Sequence, residues 1–182
     1  MAALYTTNRD KTKYQRIESF YKEVSSKINS MEQSYKDLLN KQTHDDDSLI
    51  ALIEKINNQV EKENIQFKKE CLVQFLINAL LNGTTIKSFD KSLFFLDTLS
   101  SMTLSECEMM AMLYDQDRII PVNNITSNEM SEYAILGAVG RLRSYGFIVT
   151  YTGNFSVGGR DNALTEEIQL SDFGKEFVCF CL

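Results

Sequence analysis

Apolar residues recur along the first forty positions in alternating steps of four and three. Ile17, Tyr21, Val24, Ile28, Met31, Tyr35 and Leu38 fall on one stripe of a helix, and Lys22, Glu23, Lys27, Asn29, Glu32 and Lys36 occupy its other sides. That alternation is the seam of a coiled-coil-like helix, because side chains three and four apart meet on one face. The spacing predicts a single helix from about Lys11 to Asn40. A polar turn follows, Lys41-Gln42-Thr43-His44-Asp45-Asp46-Asp47-Ser48. Its aspartates suit a helix start, where exposed amides accept a negative cap. Leu49, Ile53, Ile56 and Val60 repeat the step, and Phe67 joins their stripe. The segment grows more apolar through Leu72, Val73, Phe75, Leu76, Ala79 and Leu80 and stops at Asn82-Gly83, where glycine takes a left-handed cap without steric cost.

Two helices with matching seams and a short link make an antiparallel hairpin. A hairpin alone buries one stripe per helix, so it is expected to pack on something else, either the C-terminal domain or a second copy of the chain. The length of the first seam, Ile17 through Leu38, predicts a homo-oligomer formed through the N-terminal helices. A connector over 83–88 leads to the apolar segment Phe89 to Leu99, and the domain boundary is placed there: a helical hairpin over 1–88 and a second domain over 89–182.

The second domain has a different rhythm. Thr103-Leu104-Ser105-Glu106 is a capping box, which opens a helix carrying Met109, Met110, Met112 and Leu113. Methionines at this spacing are expected to fill a core, although a methionine surface can also bind varied partners. Pro121 cannot continue that helix, since it lacks a donor and clashes with the preceding turn. Thr126-Ser127-Asn128-Glu129 reads as a second capping box, opening a helix with Tyr133, Ile135, Leu136, Val139 and Leu142 that ends at Tyr145-Gly146. Phe147 to Thr152 alternates like a strand, Gly153, Gly158 and Gly159 suit a tight tip, and Ile168 and Leu170 mark a returning strand. Phe173, Phe177 and Val178 share a face of a closing helix. Helix, helix, two-stranded wing and closing helix is the order of a winged-helix domain. The fold class expected is therefore mostly α: a helical hairpin followed by a winged-helix domain with a two-stranded β wing.

Charge changes what such a domain should do. From Ser101 to Leu182 eleven carboxylates face five cations (Arg118, Arg141, Arg143, Arg160 and Lys175), a net of −6, and the whole chain is also −6. The acidity therefore sits in the second domain. A DNA reader gains affinity by releasing counterions through lysine and arginine, and it presents the start of its recognition helix to the groove. Here that start carries Glu129 and Glu132, which phosphates repel. Arg141 and Arg143 lie at the far end, where they favour the helix dipole, and Arg160 lies at the wing tip. These five residues are the candidate partner-binding positions, with a protein partner expected and nucleic acid disfavoured.

Candidate chemistry is sparse. The one histidine, His44, stands beside three aspartates. Consecutive carboxylates diverge, so a solvated cap is expected there rather than a cation site. Without His44 no Ser-His-Asp or Cys-His set can be assembled, and no Gly-x4-Gly-Lys phosphate loop is present. Cys71, Cys107, Cys179 and Cys181 lack metal-ligand spacing and read as reduced thiols. The most apolar run, Cys71 to Leu81, is interrupted by Gln74 and Asn78 and is shorter than the ~20 residues of a spanning helix. No secretory start is legible at Met1-Ala2-Ala3-Leu4. The expectation is a cytoplasmic protein with no catalytic residues, no metal, no cofactor and no membrane attachment.

The second half also resembles a known family. Leu99-x4-Leu104-Ser105-x-Cys107, Ile120-Pro121-Val122, Leu142-x3-Gly146-Phe147-Ile148 and Leu170-Ser171-x2-Gly174-x2-Phe177-x-Cys179 are similar to the C-terminal part of the DUF4393 (Abi-alpha) family, over residues 94–181. The resemblance implies a winged-helix fold and a link to phage–bacterium defence or counter-defence, and it brings no catalytic residues. The expected function is a non-enzymatic protein-interaction and oligomerisation protein. The alternative is a dimeric winged-helix DNA-binding transcription regulator.

Overall fold

A computed structural model describes residues 2–126, 130–151 and 162–182, with side chains from residue 11 onward. Among the described residues the protein is mostly helical, with eight α-helices and a small three-stranded antiparallel sheet. Residues 1–101 with Cys181, and residues 102–180 with Leu182, form two compact units.

The first unit holds α1 (Ala2–Ser30), α2 (Gln33–Lys41), α3 (Asp46–Val60), α4 (Gln66–Asn82) and α5 (Ile86–Ser101). The expected pair of long helices is thus divided twice. The first break falls at Met31-Glu32. Ser30 there turns its hydroxyl onto the Lys27 carbonyl at 2.8 Å, and Lys36 Nζ donates to the Asn29 carbonyl at 2.7 Å. Side chains thereby take up carbonyls that a continuing helix would use. The apolar step runs on across the break, so the pattern hides it. The second break is the turn 61–65, where the Glu63 carboxylate accepts the amides of Asn64 and Ile65 at 2.9 and 2.8 Å. Arg16 on α1 then grips the turn, donating to the Glu61 carbonyl and to Asn64 Oδ1, each at 2.6 Å.

α4 is buried nearly all round, through Cys71, Leu72, Val73, Phe75, Leu76, Ile77 and Ala79. A helix apolar on every side is a central helix, and α1, α2, α3 and α5 each pack against it. Leu52, Ile56, Phe95, Leu96 and Leu99 complete this core. α5, which the sequence groups with the second domain, packs on α3 and α4, and the boundary between units falls between Ser101 and Met102.

The second unit holds α6 (Leu104–Gln116), β1 (Ile120–Pro121), α7 (Glu132–Ser144), β2 (Ile148–Tyr151), β3 (Glu167–Leu170) and α8 (Asp172–Cys181). The sheet order is β1-β3-β2, with Ile120 opposite Ile168 and Ile148 opposite Leu170. The expected two-stranded pair therefore gains a third strand. Pro121 has no amide to offer a ladder, and it sits on an edge strand, where that costs nothing. The capping box of α6 forms as expected, with Thr103 N donating to Glu106 at 2.7 Å and Glu106 N donating to Thr103 Oγ1 at 3.3 Å. The start of α7 differs. Its N-cap is Ser131, whose hydroxyl accepts from Ala134 N, and the capping box expected at Thr126-Ser127-Asn128-Glu129 falls partly outside the described residues. Tyr145-Gly146 ends α7, with Gly146 at φ 78°. Phe147 follows at the centre of the core, fully buried and stacked on Phe177 with ring centroids 4.4 Å apart.

Candidate functional site

The candidate site is a cleft on the second unit, between α6, the segment before α7, and the first turn of α7. Ser105, Glu108, Met109, Met112, Ile125, Thr126, Met130 and Ile135 line it, and its volume is about 160 Å³. Helical periodicity explains the α6 wall. Ser105, Glu108, Met109 and Met112 are three and four apart and share a face, while Cys107 and Met110 turn the other way into the core. Ile125 enters after the short 3-10 turn Val122–Asn124; the Val122 amide donates to the Glu166 carbonyl and the Ile125 amide to the Val122 carbonyl. Ile135 reaches the cleft from one turn inside α7. Met109, Ile125 and Ile135 are buried, and Met112 and Met130 are half-exposed.

The methionine run thus divides its work. Met109 and Met110 fill core, as the spacing predicts, while the half-exposed Met112 lines the cleft together with Met130, a residue the sequence pattern does not single out. One carboxylate, Glu108, lines the cleft, and two more lie one turn along the same helix faces from lining residues: Asp115 three residues beyond Met112, and Glu132 three residues before Ile135.

Three cations of this unit, Arg141, Arg143 and Lys175, are held in ion pairs. Glu106 is buried at 2% exposure, and its second oxygen lies 3.2 Å from Arg141 Nε. Arg141 also donates to the Tyr145 hydroxyl at 3.2 Å. That bond, then the Glu106 charge, raises its pKa and keeps it charged. Arg143 pairs with Glu166, and Lys175 pairs with Asp117. The Asp117 bond raises the Lys175 pKa. Glu132 stands exposed in the first turn of α7, and beyond it the exposed face of that helix presents Tyr133, Gly137 and Gly140. Glu129 and Arg160, the other two expected partner-binding residues, lie outside the described residues, as do Gly153, Gly158 and Gly159.

The expected oligomer seam is partly consumed within the first unit. α1 packs on α4 and α3. Val24 is buried, Ile17, Tyr21 and Ile28 are half-buried, and the Tyr21 hydroxyl donates to Asn57 Oδ1 at 2.9 Å. Phe20, outside the seam, is buried as well, because it lies three residues after Ile17 and four before Val24 and so shares their face. Met31 lies in the break, half-buried. Tyr35 and Leu38 fall on α2, where they remain 51% and 40% exposed.

His44 is a structural acceptor. Its Nδ1 takes the Thr84 amide at 3.0 Å, joining the turn before α3 to the turn before α5. Asp45 caps α3 by accepting from the Ser48 hydroxyl and amide, and those bonds lower its pKa. Burial, then the neighbouring Glu70 charge, pushes the Cys71 thiol up to about 11, so it stays protonated and unreactive at neutral pH. Among the described residues no group of three His, Cys, Asp or Glu side chains is placed to hold a metal ion. No described helix is long and apolar enough to cross a membrane. No protein-family model, curated protein or solved structure matches the chain.

Proposed function

We propose that this protein is a non-enzymatic interaction protein whose second unit is a winged-helix-type module that binds polypeptide. The order α6, β1, α7, β2, β3, α8 supports the fold assignment, with α7 in the position of a recognition helix and β2 and β3 in that of the wing strands. The observation that carries the function is the methionine-lined cleft, with Met109, Ile125 and Ile135 buried at its base and Glu108 in its wall. Flexible, polarizable methionine walls suit the burial of another chain's side chain. The pairing of Arg141, Arg143 and Lys175 with Glu106, Glu166 and Asp117 weighs against the regulator reading, since those charges are already compensated within the unit. The resemblance of residues 94–181 to the DUF4393 (Abi-alpha) region suggests a place in phage–bacterium conflict. In the first unit, the exposed Tyr35 and Leu38 of α2 support a role in self-association.

Titration with random duplex DNA at low salt separates this reading from its rival. The acidic field predicts no retention at micromolar protein. A micromolar complex that dissolves as salt rises would return the module to the DNA-binding class.

A further inference from the structure

We infer that the cleft over α6 takes a basic polypeptide segment that inserts one bulky apolar side chain. This rests on the reading of the second unit as a polypeptide-binding module and adds the chemistry of the partner. Size sets the anchor. A volume of about 160 Å³ is close to the ~150 Å³ of an apolar cavity that holds one benzene, so it admits a single leucine-, methionine- or phenylalanine-sized group. Met109, Met112 and Met130 can move to fit any of these, because an unbranched thioether adopts several shapes at little cost.

Charge sets the flanks. Glu108, in the cleft wall, lies one turn before Met112 on α6 and Asp115 one turn after it, so the two carboxylates are spaced about 10 Å along the helix that carries Met112, at 1.5 Å of rise per residue. Glu132 stands at the start of α7, and among the described residues no lysine or arginine lines the cleft. A segment with a cation on each side of its anchor satisfies both carboxylates while the anchor is buried. An acidic segment is repelled by Glu108 and by the neighbouring Asp115 and Glu132, and duplex DNA brings charge of the wrong sign with no side chain to insert.

The test uses the full chain labelled at its methionine methyl groups and observed by NMR. The probe is a short lysine–alanine peptide with one central leucine. The Met112 and Met130 methyl signals should shift on titration. Replacing the peptide's leucine with serine should weaken binding roughly tenfold, the effect of losing one buried aliphatic side chain. The double variant Glu108→Lys, Asp115→Lys alters only exposed side chains. It should weaken the lysine peptide several-fold while leaving the core methyl signals of Met102 and Met110 in place. A peptide with serines for lysines that binds equally well would overturn the basic partner and leave the polypeptide site standing. Cleft methyls that no peptide shifts, or that only duplex DNA shifts, would overturn both.

Discussion

Gly174 shows how much one missing methyl decides. Ser171 caps α8 and also donates to the Gly146 carbonyl at 2.6 Å, which draws the first turn of α8 against the end of α7. A Cβ on Gly174 would stand 2.3 Å from the Phe147 carbonyl oxygen, a backbone atom with nowhere to go. Gly174→Ala should therefore cost about 3 kcal/mol, at the upper end of the range for overpacking. Gly137 and Gly140, on the exposed face of α7, have nothing within 4 Å of an added Cβ. Gly137→Ala should stabilise by about 1 kcal/mol through helix propensity. Urea unfolding of the two variants checks the opposite signs. Equal effects would mean that the approach of α8 to Phe147 is looser than described. The sequence shows all three glycines, but only the packing tells them apart.

Among the elements, the turn between α3 and α4 is held by electrostatics more than by burial. Burial works to raise the Glu63 pKa. The Ile65 amide, the Lys68 charge and the Asn64 amide together outweigh it and leave the group below the ordinary carboxyl range. Lys68 is itself buried, donating to the Ser100 carbonyl at 3.0 Å and lying 3.4 Å from Glu63. Because the folded pKa is depressed, the stabilisation is complete above the unfolded value, about 4.3. It is lost as pH falls through the folded value. Glu63→Gln should lower the melting temperature at pH 7 and flatten its decline below about pH 4. Parallel melting curves for both proteins across that range would remove Glu63 as an acid-sensitive tie. This turn was illegible as a break because Val60 and Phe67 are seven residues apart, a whole helical repeat. The polar run Glu61-Lys62-Glu63-Asn64 passes equally well for the outer face of a continuous helix.

On the scale of the whole molecule, charge is divided between the units. The net −6 lies in residues 101–182, while the preceding hundred residues balance. The acidic unit repels polyanions, and the neutral unit is free of the self-repulsion that opposes association. Self-association should run through α2, the one helix of the first unit from Gln33 to Lys41 with no buried residue and with Tyr35 and Leu38 exposed. Light scattering at high micromolar concentration should give a mass above one chain. The double variant Tyr35→Ser, Leu38→Ser should return it to one. A clean monomer of the unaltered chain at that concentration would dismiss the role assigned to α2.

Residue order alone determined the helical class, the caps at Asp45 and Thr103, the stop at Gly146, and the acidity of the second half. Each of these depends on neighbours within a turn or two, or on composition, and a linear pattern records both. Tertiary structure decided the rest. It divided two apparent long helices into four, made Ile120-Pro121 the edge strand of a sheet, and spent much of the α1 seam on α3 and α4. It also set Arg141 and Arg143 against Glu106 and Glu166, thirty-five and twenty-three positions away. The cleft belongs to this second class, since Met112 and Met130, eighteen positions apart, line it together only in the folded chain. A periodic sequence states which face of a helix is apolar, but what covers that face, and where the cover is incomplete, depends on contacts between residues far apart in the chain.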